Sequence, residues 1–169
     1  TSTPEMVVNV FASAEGRTDA ALRAAEQVLE IEPDNPQACL LAAFAHADTG
    51  RMDAAIEECD RALAIDPLLP AARYILGLIY QRKGDAMRAI SELKRTIYID
   101  SSFALAHFTL ANVYRQQGAL EDACREYGNT MRALYEDPEG EWTVFLGGFK
   151  PDLLTKICER SLIECRKAA

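Results

Sequence analysis

Three arrangements in the sequence could carry chemistry. Asp48-Thr49-Gly50 spells the triplet in which acid-protease aspartates sit. Cys39, His46 and Cys59 offer thiolate and imidazole ligands of the kind a zinc ion takes, although no fourth ligand is evident. Cys158 and Cys165 fall on one apolar stripe, where a free thiol behaves as a small hydrophobe. The familiar motifs are absent: no G-x-G-x-x-G, no phosphate loop, no G-x-S-x-G, no H-E-x-x-H. Gly147-Gly148 alone does not make a phosphate cradle, and neither histidine has a nucleophile beside it in the pattern. The chain reads as non-catalytic, with no metal and no cofactor expected.

The elements that would position these residues explain why. Gly16–Pro33 reads GRTDAALRAAEQVLEIEP, and Gly50–Pro67 reads GRMDAAIEECDRALAIDP, 34 residues later. Steps of 34 from Gly16 land on Gly50, Gly84 and Gly118, and from Ala21 on Ala55, Ala89 and Ala123. The phase of Asn9, Ala43, Gly77 and Ala111 holds small residues, and that of Leu29, Leu63, Ile97 and Met131 apolar ones. Units of 2–35, 36–69, 70–103 and 104–137 follow, each a helix, a turn at the glycine and a second helix. Glycine takes the left-handed conformation that ends a helix at little steric cost. Asp48-Thr49-Gly50 then lies at a helix end, in no strand context, and His46 and Cys59 fall at inter-helix packing places.

The predicted helices run from Pro4 to about Glu15, Thr18–Ile31, Pro36–Thr49, Arg51–Ile65, Pro70–Lys83, Asp85–Ile99, Ser102–Gln117 and Leu120–Glu136. Prolines 33, 36, 67 and 70 mark turns between units, because proline ends one helix and is tolerated at the start of the next. One helix pair cannot bury its apolar face alone; stacked pairs bury a continuous core.

The pattern resembles the tetratricopeptide repeat (TPR): a small residue at the eighth place, an aromatic at the eleventh, Gly at the fifteenth, Ala at the twentieth and Pro at the thirty-second. Residues 70–103 carry it best, with Leu76-Gly77, Tyr80, Gly84 and Ala89. Arg73 and His107 stand where a Trp is usual, and Ala12 and His46 replace the Tyr. The resemblance implies an all-α, right-handed superhelix of four helix-turn-helix repeats with a C-terminal capping helix. It implies a protein or peptide ligand held on the concave surface by the first helices. The positions so implied are Met6, Leu40, Tyr74 and Phe108 at the fifth places, and Val10, Phe44, Leu78 and Asn112 at the ninth. Gln81 and Arg115 stand at the twelfth. This stripe is mainly apolar and suits a hydrophobic or amphipathic helix. A clamp for a terminal carboxylate needs Lys and Asn here, and only Asn112 and Arg115 are similar.

Composition narrows the partner. With 169 residues, 49% hydrophobic and 26% charged, the chain is one domain with ample core. Twenty-six acidic against 18 basic residues give a net charge of −8. That argues against nucleic acid and anionic membranes, which need clustered Lys and Arg. No run approaches the roughly 18 apolar residues of a membrane helix, and no signal peptide is recognised at the start. Five cysteines without a disulfide-framework spacing read as reduced thiols in the cytoplasm.

The repeat pattern breaks at Asp137-Pro138-Glu139-Gly140. The remainder, 138–169, reads as a linker and a capping helix opened by Pro151-Asp152. The linker holds Phe145, Leu146 and Phe149 and the chain's one Trp. The helix carries a wide apolar face of Leu153, Leu154, Ile157, Cys158, Leu162, Ile163 and Cys165. The tail FLGGFKPDLLTKICERSLIEC, with YGNTMRAL before it, resembles the segment after the repeats in bacterial CheR-type chemoreceptor methyltransferases that carry an added TPR region. That resemblance implies a regulatory module of a larger S-adenosylmethionine-dependent enzyme, with its own catalytic domain or a chemoreceptor as partner. The alternative is a freestanding scaffold or assembly factor with no attached enzyme.

Overall fold

Three glycines set the bends. Gly50, Gly84 and Gly118 have φ of 79°, 77° and 76°, the left-handed region that L side chains rarely adopt. Each closes a helix with the same pair of backbone bonds. At the middle one, Gly84 N–H donates to Gln81 O (3.1 Å) and Asp85 N–H to Tyr80 O (2.9 Å). These satisfy two carbonyls that a helix end would otherwise leave bare.

The computed structural model describes residues 15–146 and 149–168. Its helices are α1 (Glu15–Ile31), α2 (Pro36–Asp48), α3 (Met52–Ile65), α4 (Pro70–Arg82), α5 (Ala86–Ile99), α6 (Ala104–Gln116) and α7 (Leu120–Glu136). A short 3-10 helix (Glu141–Leu146) and α8 (Pro151–Ala168) follow. The predicted first helix lies outside the described residues. Gly16 falls inside α1, not at a turn. A glycine is tolerated there, at roughly 1 kcal/mol relative to Ala.

Starts are encoded as locally as stops. Pro36 and Pro70 occupy the first turns of α2 and α4. Asn35 caps α2 by accepting from Ala38 N–H, and Asp85 caps α5 by accepting from Arg88 N–H. Between repeats, Asp66 and Asp100 accept from the N–H groups of Leu68 and Ser102 two residues on. The turn therefore survives at Ser101, where the proline has been lost.

Each helix packs on the next, and α2 meets α4 and α4 meets α6 one repeat apart. Ala55, Ala89 and Ala123 are fully buried at these contacts. Gly77 shows how tight they are: a Cβ there would lie 2.8 Å from Leu93 Cγ and Cδ2. The Trp-substituting positions share one task. Arg73 Nη1 binds Glu92 Oε2 at 3.0 Å, and His107 Nδ1 meets Glu126 Oε2 at 2.8 Å. Both also reach the carbonyl six residues back, at Pro67 and Ser101. In the repeat before, the Cys39 thiol hydrogen-bonds Glu58 but does not reach the entry turn. Arg61 makes that link, bridging Glu58 and Pro33 O. One acidic register, Glu58–Glu92–Glu126, thus ties the second helix of a unit to its first helix or its entry turn.

α8 packs along α7. Its buried residues are Leu154, Cys158, Ser161 and Cys165, one narrow stripe. The wider face expected from the sequence is corrected: Leu153 and Ile163 are exposed at 36% and 55%. The last repeat contacts one side of α8 and leaves these residues on its outer flank in solvent.

A concave groove closed by the tail

The expected ligand positions are distributed unequally. Met6 and Val10 lie outside the described residues. Leu40 and Phe44, on α2, are half-buried beside a cavity of about 490 Å³. Leu41, Ile75 and Phe103 line the same cavity, with Gln37, Asp100 and Glu141 among its polar members. Leu78 and Gln81, on α4, are partly buried, and neither lines that cavity.

Tyr74 and Phe108 are not available surface. They retain 4% and 2% exposure, so the expectation that they stand open in the groove is corrected. The chain's own tail covers them. The 3-10 helix lays Phe145 among three rings: Phe44 at 5.9 Å, Tyr74 at 5.1 Å and Phe103 at 6.0 Å between centroids. Tyr74 and Phe103 also pack on each other at 4.9 Å. Burial pushes the Tyr74 hydroxyl up to about 12, partly offset by a hydrogen bond with Thr109. Phe108 packs on Tyr127 at 5.9 Å.

Asn112 is also committed. Tyr127 donates its hydroxyl to Asn112 Oδ1 at 2.6 Å. A crevice of only about 30 Å³ separates Phe108, Asn112 and Arg115 from Ile157, Arg160, Ser161 and Glu164 of α8. The capping helix therefore lies on the groove side of the last repeat, facing Asn112 and Arg115.

Trp142 anchors the tail. It is fully buried, and its indole N–H donates to Asp137 O at 3.2 Å. Gly140 permits this, because a Cβ there would strike the indole at 2.6 Å. Leu146 is buried as well, whereas Val144 is 73% exposed and Phe145 is half-buried at the cavity wall. The segment is therefore no linker. The sequence signal was the cluster of Trp142, Phe145 and Leu146 after the last repeat, whose apolar side chains need a surface.

Among the described residues, those that could do chemistry form no ligand cluster. Asp48 accepts from Thr18 Oγ1 at 2.6 Å at the end of α2. Cys39 packs with Ala62 and Ala72, and Cys59 with Ala43, Ala55 and Ile75. Among the described residues no three His, Cys, Asp or Glu side chains are grouped to hold a metal. Burial pushes the thiols of Cys158 and Cys165 up to about 12 and about 11, and Cys59 higher still, which suppresses the reactive thiolate. No described helix is long and apolar enough to cross a membrane.

The stacked helix pairs with glycine turns define a helical-repeat protein. The chain belongs to the tetratricopeptide-repeat family: tetratricopeptide profiles match residues 12–79 and 74–139. No curated protein matches the sequence at a significant level. Among solved structures, one of MamA superposes with a TM-score of 0.62 at 24% identity, over 92% of this chain and 90% of that one. The first TPR of Spaghetti (RPAP3), bound to the HSP90 peptide SRMEEVD, gives 0.62 at 15%, over 79% and 91%. The Sgt2 TPR domain from Aspergillus fumigatus gives 0.61 at 17%, over 78% and 77%. At these identities the likeness speaks to the fold.

Proposed function

We propose that the chain is a protein-interaction module that takes an apolar peptide or helix on the concave face of its middle repeats, 36–69 and 70–103. The observation that supports this reading is the cavity beside Leu40, Leu41 and Phe44. It is large enough for one or two bulky side chains, and it is bordered by Asp100 and Glu141. The HSP90 peptide of the RPAP3 relative is acidic; this groove is apolar with acidic borders, which favours an apolar segment with basic flanks. Residues 138–169 serve as an intrinsic cap on repeat 104–137.

The test is peptide display on the immobilised chain. Selected peptides carry bulky apolar residues. Leu41→Asp weakens them at least about tenfold, and Phe44→Ala by a hot-spot amount of about 2 kcal/mol. Met87→Ala, at an exposed position outside the cavity, leaves them unchanged. Peptides that bind all three variants with parental affinity refute the reading.

The narrower reading, a regulatory region of a cytoplasmic bacterial chemotaxis-type methyltransferase, is supported by the tail motif FLGGFKPDLL alone. The coding sequence upstream of Thr1 decides it. A nucleotide-binding fold there supports it; another domain or none favours the freestanding scaffold.

A further inference from the structure

Part of the groove is occupied by a piece of the same chain. Phe145 sits in a cage of Phe44, Tyr74 and Phe103, drawn from α2, α4 and the turn before α6. Its ring makes tilted and edge-on contacts of the kind aromatic pairs prefer. The residues around it divide in two. Trp142 and Leu146 are buried anchors, and the Trp142 indole is bonded back to Asp137 O. Val144 and Phe145, between them, form one wall of the cavity, with Val144 largely in solvent. The segment thus plugs part of the groove and, among the described residues, leaves a cavity of about 490 Å³ beside it, as a short peptide would.

We infer that this aromatic cage is a site for an aromatic side chain carried on a helical turn, and that Phe145 is an internal competitor that a partner segment of that kind must displace. The inference rests on the reading of the groove as a peptide site and names its ligand class and its regulation. An attached competitor acts at an effective concentration near millimolar, so it lowers the apparent affinity of any rival without a second binding site. A binding-competent state that is only fractionally populated weakens binding by that fraction. Only the Phe145 side chain has to leave the cage, while Trp142 and Leu146 stay anchored and α8 stays packed on α7, and such local opening costs less than global unfolding.

The experiment uses the full chain and the labelled synthetic peptide EGEWTVFL, residues 139–146 supplied in trans. Phe145→Ala empties the cage; this variant binds the peptide about tenfold or more tighter than the parent does. Adding Phe44→Ala to that variant abolishes the gain, and the peptide EGEWTVAL does not bind. Equal affinity for the parent and for Phe145→Ala overturns the internal competitor; where Phe44→Ala still abolishes that binding, the groove itself remains a peptide site. Binding that ignores Phe44, or that EGEWTVAL reproduces, overturns the cage. Absence of binding to Phe145→Ala overturns the inference, while display peptides selected on the parent test the groove independently. Should Phe145→Ala fail to fold, the parent with isotope-labelled phenylalanine rings replaces it. Excess EGEWTVFL must move the Phe145 ring signals toward those of a solvated ring, and unmoved signals overturn the inference.

Discussion

Two repeats of the concave stripe carry equivalent positions and have different fates. Leu40 and Phe44 on α2 border a cavity; Phe108 and Asn112 on α6, at the same fifth and ninth places, lie beneath α8. Phe108 keeps 2% exposure, and Asn112 accepts from Tyr127. Periodicity alone assigns both pairs to one surface. The difference comes from a neighbour that is not part of the period. The repeat decides which face a residue points toward, and the tail decides whether that face is surface or interior.

This contrast is broken most severely by removing the tail. Deleting 138–169 strips Trp142, Leu154 and Cys158 from the last repeat and uncovers Phe108. The loss exceeds the about 3–5 kcal/mol of a single large aromatic deletion. Aggregation or a sharply lower melting temperature is expected, and a fragment melting like the parent removes the cap.

Single substitutions sharpen it. Phe108→Ala, sealed under α8, costs about 3–5 kcal/mol of folding stability. Val144→Ala, at the exposed cavity wall, stays within about 0.5 kcal/mol. Chemical denaturation of the two variants measures this directly. Similar midpoints would mean that the closed end is no more interior than the other.

The smallest effect is electrostatic and belongs to the closed end. Burial by itself would raise the Glu126 carboxyl, but hydrogen bonds from His107 and Asn129, together with the nearby charges of His107 and Arg125, outweigh it and hold it below the ordinary carboxylate range. A carboxyl depressed in the folded state contributes stability above its unfolded pKa. That contribution is lost as pH falls through the folded value. The parent therefore loses stability on acidification partly through this group. Glu126→Gln is less stable near neutral pH and shows a flatter acid limb in melting temperature against pH. Parallel curves for the two proteins would show that Glu126 does not contribute.

The repeat architecture was legible because its causes are local. A glycine every 34 residues needs only its own backbone to adopt φ near 77°, and Gly50, Gly84 and Gly118 do so. Proline at a first turn and Asn35 or Asp85 as caps act within four residues. Helix ends could thus be placed within two residues of those observed from α2 through α7. The small-residue phase also translated directly, since Gly77 against Leu93 leaves no room for a methyl group.

The candidate site was legible only in part. The stripe of fifth and ninth places came from the resemblance to the tetratricopeptide pattern, and Leu40 and Phe44 of that stripe border a cavity. The seat of Phe145 could not be read, because its partners at 44, 74 and 103 are 42 to 101 residues away and share no spacing with it. Trp142 likewise looked like a linker residue, since six residues of 3-10 helix are too short for a period to show a buried face. Local backbone preference and the 34-residue repeat determined the helices, their turns and their common face. Only tertiary packing decided which part of that face the tail would fill, because burying its aromatic side chains is rewarded wherever apolar surface is nearest in space, at any distance along the chain.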